Sequence, residues 1–231
     1  MTIIKSGSYD KFEKTCKPDE SGKLCKPEKS GKLITFEGID GAGKTTTLEL
    51  LKESGKLPAS AVFTREPTKN TFTGDFVYES FEKDIDPLSE LFLFLADHSS
   101  HLENVIKPEL KLGKIVISDR YSDSRISYQG VTLENIIPNS TEFIEQLHKP
   151  WTVVPDLTFY FDLPPEVSIK RCKNRDEITK FEKKEFLEKV RKNFLKLKDK
   201  YPSRIYLIDA TKPQNEILDE IHEVILKLIN D

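Results

Sequence analysis

The sequence predicts an α/β domain, a five-stranded parallel sheet with helices on both faces. Three observations predict it. Five short apolar runs, at 33–36, 60–64, 114–118, 157–161 and 205–208, alternate with stretches of helical periodicity. The first run leads directly into Gly38-Ile39-Asp40-Gly41-Ala42-Gly43-Lys44-Thr45, which reads G-x-x-x-x-G-K-T. The third run delivers Asp119-Arg120-Tyr121 at its C-terminal end, the rim on which open α/β sheets hold ligands.

Each element follows from its residues. Thr46 to Leu51 continues the glycine loop as a helix, with Leu48 and Leu51 at helical spacing. The second strand ends at Arg65-Glu66-Pro67, where Pro67 stops regular structure. Residues 71–83 form a helix. Asp86-Pro87 then opens a long one, whose Leu88, Leu91, Phe92, Leu95, Leu102, Val105 and Ile106 share one face, and Gly113 ends it. Residues 122–149 read as two helices around Pro138-Asn139. Pro164-Pro165-Glu166 starts another helix, and Phe186, Val190, Phe194 and Leu197 make a stripe on the next. Thr211 and Pro213 start the last helix, with Ile217, Ile221, Val224, Ile225 and Leu228 inward.

Composition narrows the class. The 231 residues fit one α/β domain, 32–231, plus a short appendage, 1–31. The appendage is rich in Lys, Pro, Ser and Gly and contains a nine-residue tandem repeat, 16–24 and 25–33. Such a composition buries too little to order itself, so a flexible tail is expected rather than a two-cysteine metal or redox arm. The net charge of −3 gives no case for a nucleic-acid or membrane partner. No apolar run approaches the ~18 residues of a membrane span, and no secretory h-region is present. Three cysteines make no disulfide framework, which points to a reducing cytoplasm.

The glycine loop carries the chemistry. Its backbone N–H groups (Gly38, Ile39, Asp40, Gly41, Ala42, Gly43, Lys44, Thr45 and Thr46) can curl around phosphate oxygens, and the helix that follows adds the positive end of its dipole. Lys44 supplies a point charge for the β- and γ-phosphates. The Thr45 hydroxyl suits Mg²⁺, an octahedral oxygen-seeking ion. Strand, loop and helix together make a nucleoside triphosphate site. Arg65 and Arg120 both lie just past strand ends on the same rim, where they could hold a second anion or serve as surface ion-pair partners. If the acceptor is a phosphate monoester, already largely ionised at neutral pH, no general base is needed. The four histidines fall in no nucleophile or metal spacing. Lys170, Arg171, Lys173, Arg175 and Lys180 form a basic cluster before Phe181. It is either a solvated helix face or a lid that closes cations over the transferred phosphate.

In their order, Phe36-Glu37-Gly38-Ile39-Asp40-Gly41-Ala42-Gly43-Lys44-Thr45-Thr46, Thr64-Arg65-Glu66-Pro67, Asp119-Arg120-Tyr121 and Tyr128-Gln129-Gly130 resemble the thymidylate kinases, over residues 32–231. The resemblance implies a P-loop kinase fold with a lid segment, and the reaction ATP + dTMP → ADP + dTDP with Mg²⁺, usually in a homodimer. It implies that Asp40 contacts the sugar 3′-hydroxyl, that Arg120 holds the dTMP phosphate with Arg65 assisting, and that Asp119 joins Thr45 at the magnesium. It also places Phe94 against thymine and Tyr128 near the sugar. The P-loop position Gly41 is basic in some relatives. Chains like this one place their cations in the lid instead, at Arg171, Lys173 and Arg175, so that Lys44, Arg120, Arg171 and Arg175 form the catalytic set.

Two departures stand out. Where the family has an arginine on the thymine ring, this chain has His98, with Arg125 as a candidate substitute. The lid carries Asp176 in place of a frequent glycine. One methyl supports only ~1–3 kcal/mol of discrimination, so leakage of dUMP is expected. Three other readings compete with this one. A deoxynucleoside kinase or another monophosphate kinase of the same fold would differ in its acceptor, and the former needs a base such as Glu37 or Glu66. A GTP switch needs an N-K-x-D motif that the sequence lacks. A non-catalytic nucleotide binder sits poorly with intact Lys44, Thr45 and Arg120.

Overall fold

The structure is a computed structural model that describes residues 31–172 and 183–230. The tandem repeat up to residue 30 and the basic positions Lys173, Arg175 and Lys180 lie outside the described residues, as does Asp176.

Five strands, β1 (Lys32–Gly38), β2 (Val62–Arg65), β3 (Ile115–Asp119), β4 (Leu157–Asp162) and β5 (Ile205–Asp209), form one sheet in the order β2-β3-β1-β4-β5. Every pairing is parallel. The central strands are nearly continuous apolar runs because both faces are covered. Successive residues of a strand feed opposite faces. Leu33 and Val116 pack with Leu102, Ile106 and Tyr121, whereas their neighbours Ile34, Ile115 and Ile117 enter the larger cluster with Leu51, Leu91, Val190 and Ile221.

The helices are α1 (Lys44–Glu53), α2 (Phe72–Glu82), α3 (Pro87–His101), α4 (Lys107–Lys111), α5 (Ser122–Thr132), α6 (Ser140–His148), α7 (Pro165–Cys172), α8 (Lys184–Lys200) and α9 (Gln214–Asn230). Asp86 caps α3 by accepting from the Leu88 and Ser89 amides, with Pro87 at the first position. The long helix expected from Pro87 up to Gly113 is interrupted: a π turn spans Leu102–Ile106 before α4. It stands just ahead of Pro108, which lacks the N–H that a regular helix would bond to Asn104. Val190, Phe194 and Leu197 of the expected stripe are buried on α8, together with Leu187, while Phe186 is only partly buried.

Register brings the site together. Phe36 pairs with Asp119 across β1–β3, and Arg65 pairs with Asp119 across β2–β3. The Arg120 amide donates to the Phe36 carbonyl at 2.9 Å, and the Glu66 amide to the Asp119 carbonyl at 2.9 Å. The C-terminal ends of β1, β2 and β3 therefore open side by side on one rim.

Candidate active site

The loop from Gly38 to Thr45 runs from β1 into α1. Gly41 at φ +73° and Gly43 at φ +89° take left-handed backbone that only glycine adopts cheaply. Gly41 also lies under α7. A Cβ there would sit 3.1 Å from both the Ser168 carbonyl and the Cys172 sulfur. Both contacts are tight, so a side chain here would press on α7. Ile39 and Ala42 are buried and anchor the loop in the core. Ser168 Oγ donates to the Asp40 carbonyl at 2.7 Å. Thr46 is exposed on the first turn of α1.

Lys44 Nζ donates to the carbonyls of Gly38 at 3.0 Å and Ile39 at 2.9 Å. Burial, with Arg120 nearby, lowers its pKa to about 8. Thr45 Oγ1 donates to Asp119 Oδ2 at 2.7 Å, while the other carboxylate oxygen, Oδ1, is buried with no partner among the described residues. A hydroxyl beside an unsatisfied carboxylate oxygen is a donor set suited to a hard divalent ion, so these residues fit Mg²⁺.

Arg120 adopts φ +68° at the end of β3. Its guanidinium donates to the Gly38 carbonyl at 2.9 Å, Ser124 Oγ at 3.0 Å and Asp40 Oδ1 at 2.6 Å, and lies 5.1 Å from the centre of the Tyr128 ring. The Tyr128 hydroxyl stands 3.5 Å from Asp40 Oδ2. The structure thus gathers Asp40, Arg120 and Tyr128 in one place. Arg65 is partly buried beside Asp119, and its Nε has no partner among the described residues. Phe94 is partly buried on α3, with its ring centre 6.0 Å from that of Phe81. Arg171 reaches back from α7 to the loop, donating to the Gly41 carbonyl at 3.1 Å and the Ala210 carbonyl at 3.2 Å. Arg175 lies outside the described residues.

His98 lies deep in the protein. Expected to face the ligand, it has 0% exposure, with Nδ1 at 2.8 Å from Glu66 and Nε2 at 3.1 Å from Thr152. Both ring nitrogens are committed to the protein. Burial is the cause: the ring is walled by Tyr121, His148 and Trp151. Arg125 is also buried, held by Glu66 and His148.

Sequence reasoning missed Asp97 and Gln214, and named Glu37 only as a conceivable base. Asp97 fixes the turn after β2 by accepting from the Thr68 amide at 2.8 Å. Gln214 Nε2 donates to Thr47 Oγ1 at 2.6 Å, tying α9 to α1. Glu37 lies fully buried behind the loop and accepts from Ser124 Oγ. Burial, with Asp123 beside it, raises the Glu37 carboxyl to about 8. Nothing in periodicity marks Asp97 or Gln214, since each is a single polar residue in a helical context.

A glycine loop between a strand and a helix, on a five-stranded parallel sheet with a second cationic rim beside it, defines a P-loop phosphotransferase. The family model for thymidylate kinase matches residues 36–221. The chain belongs to the thymidylate kinase family. A probable thymidylate kinase of Methanosarcina barkeri is 53% identical over 198 residues, which cover 85% of this chain and 97% of that one. One from Natronomonas pharaonis is 44% identical over 199 residues, 85% of this chain and 98% of the other. The crystal structure of thymidylate kinase from Ehrlichia chaffeensis superposes with a TM-score of 0.66 at 33% identity, over 85% of this chain and 99% of that one.

Proposed function

We propose that the protein transfers the γ-phosphoryl group of ATP to dTMP. The observation that carries this reading is the pair of arginines, Arg65 and Arg120, beside the loop, the first with a buried Nε that has no partner among the described residues. A second anion held there stands next to the triphosphate.

The mechanism is positioning and charge neutralisation. Amides of the loop and Lys44 grip the donor phosphates, with Lys44 exchanging its two carbonyl partners for phosphate oxygens. Arg120 and Arg65 hold the acceptor phosphate against its like-charged partner. A phosphate oxygen of dTMP attacks the γ-phosphorus, the bond to the β,γ-bridging oxygen breaks, and ADP leaves. Asp40 orients the sugar, Tyr128 flanks it, and Phe94 stacks on the base. Arg171, with Arg175 beyond it, steadies the charge in transfer. Mg²⁺, held by Thr45 and Asp119, neutralises phosphate charge when bound.

An acceptor hydroxyl would instead need a base. Glu37 and Glu66 are at 0% and 2% exposure. Burial works against the charge of Glu66, but Arg125 and His98 outweigh it and hold that carboxyl well below the usual range, which leaves it a poor base. A phosphate acceptor is therefore favoured.

Residues 32–231 are the catalytic domain, and 1–31 an appendage that the family model leaves unmatched. Among the described residues no helix is long and apolar enough to cross a membrane. We assign the protein to a reducing cytoplasm on its odd cysteine number. A homodimer is supported by Phe72, Phe76 and Phe92, which expose 80%, 43% and 52% of their surface on the packed helices α2 and α3. A coupled assay of ADP release tests the function across dTMP, dUMP, dCMP and thymidine. Release with dTMP and none with thymidine is expected, and turnover of thymidine alone would refute the reading.

A further inference from the structure

The guanidinium of Arg120 has two edges with different neighbours. Nη1 donates to the Gly38 carbonyl at 2.9 Å and to Ser124 Oγ at 3.0 Å. Nη2 donates to Asp40 at 2.6 Å and to the Tyr128 hydroxyl at 3.5 Å, two residues placed at the acceptor's sugar. On the Nη1 edge the carbonyl is fixed by the backbone of the loop. The other partner is a hydroxyl, which rotates unless its hydrogen has a fixed acceptor. A guanidinium only donates, so Ser124 Oγ must offer Arg120 a lone pair and direct its own hydrogen elsewhere. That hydrogen goes to Glu37 Oε2. Arg120, Ser124 and Glu37 therefore form one directed chain, in which every bond runs away from the acceptor.

Glu37 occupies a costly place. It precedes Gly38 on β1 and is at 0% exposure. Its Oε1 has no partner among the described residues, and a buried polar atom left so destabilises the fold. Burial, with Asp123 beside it, raises the carboxyl to about 8, so at neutral pH it is an uncharged acid whose Oε2 accepts from Ser124. Asp123, the neighbour of Ser124, has its own partner: Arg204 holds that carboxylate through bonds of 2.7 and 3.1 Å. Among the described residues the side-chain bond that Glu37 makes leads through Ser124 to Arg120.

We infer that Ser124 and Glu37 are positioning residues for Arg120: Glu37 turns the Ser124 hydroxyl, and Ser124 holds the Nη1 edge so that the Nη2 edge is presented to the acceptor phosphate. Once Asp40 engages the sugar, Nη2 is released to the phosphate, while Gly38 and Ser124 keep the guanidinium plane in place. Group transfer is sensitive to such placement, and a shift of about 1 Å can cost about 100-fold in rate. Glu37 acts here as an oriented acceptor rather than as a charge, so the carbonyl oxygen of a glutamine can take over its role. The inference rests on the proposed phosphorylation of dTMP and adds the two residues that aim its arginine.

The test is a double-mutant cycle in dTMP kinetics on wild type, Ser124→Ala, Arg120→Ala and the two combined, with Glu37→Leu and Glu37→Gln beside them. Ser124→Ala is expected to lower kcat by about 10- to 100-fold. ATP affinity of the free protein, read by calorimetry, should stay within about twofold of wild type. In the Arg120→Ala background, adding Ser124→Ala should cost less than about twofold more, since the residue it acts through is gone. Glu37→Leu should lose as much as Ser124→Ala, and Glu37→Gln should recover most of that loss. If Glu37→Leu does not fold, the Ser124 cycle decides. Losses that multiply in the double variant overturn the inference, as does a wild-type kcat in Ser124→Ala. A fall in ATP affinity that matches the fall in kcat also overturns it, because damage to the loop would then account for the loss. Wild type without turnover of dTMP would overturn the underlying function, and this inference with it.

Discussion

Arg120 is clamped to Asp40: its Nη2 donates to Oδ1 at 2.6 Å while Nη1 holds the carbonyl of Gly38 at 2.9 Å. The residue assigned to the acceptor phosphate is thereby tied to the first residues of the donor loop. Its left-handed backbone, at φ +68°, costs on the order of 1 kcal/mol, which these bonds offset. Arg120→Ala should cut kcat/KM for dTMP by about 10³-fold or more. Asp40→Asn keeps a hydrogen-bonding oxygen and should cost less. Steady-state kinetics with dTMP varied checks both; equal losses would break the assigned division of roles.

Lys44→Ala should lower kcat by at least about 100-fold while thermal unfolding stays within a few degrees of wild type. The charge on Lys44 is present below about pH 8 in the free protein and lost above it. ATP binding to the free protein, measured by calorimetry, should weaken as pH rises through 8 and should lose that step in Lys44→Ala.

Glu37 links stability to pH. The folded protein keeps a proton up to about pH 8 that the unfolded chain releases near 4.5. The stabilisation is complete below 4.5 and is lost as pH rises through 8, at about 1.4 kcal/mol per pH unit in between. Glu37→Gln cannot ionise, so urea unfolding at pH 5.5 and 7.5 should show a smaller fall for the variant. Parallel losses would show that Glu37 does not titrate in this window.

Gly74 on α2 has no room for a methyl group. A Cβ would stand 2.0 Å from the Thr68 carbonyl oxygen, in the turn that Asp97 holds. Gly74→Ala should destabilise by about 1–3 kcal/mol despite the better helix propensity of alanine. A denaturant midpoint at or above wild type would contradict this contact.

Deleting residues 1–30 should leave kcat/KM within about twofold, since β1 starts at Lys32 and pairs wholly within the domain. A larger loss, read in the same kinetic assay, would give the appendage a role in turnover.

Strand positions were legible because parallel strands buried on both faces leave unbroken apolar runs, as 115–117 and 157–161 do. The loop was legible because backbone curvature and phosphate chemistry restrict its residues one by one. The π turn was not: Val105 and Ile106 keep the apolar pattern while the hydrogen-bond ladder changes beneath it. The setting of His98 was not legible for a related reason. Spacing on α3 gives a direction around the helix, but not whether Glu66, Arg125 and Thr152 have already taken both ring nitrogens. Such networks join distant segments, and no local pattern records them.

Phosphorus NMR of ATP mixed with dTMP and the wild-type protein in Mg²⁺ tests the central claim most directly, because it follows the transferred group itself. The β-phosphate resonance of dTDP should grow in step with ADP, with no inorganic phosphate at early times. Inorganic phosphate released at one rate with and without dTMP would contradict transfer between two clamped nucleotides.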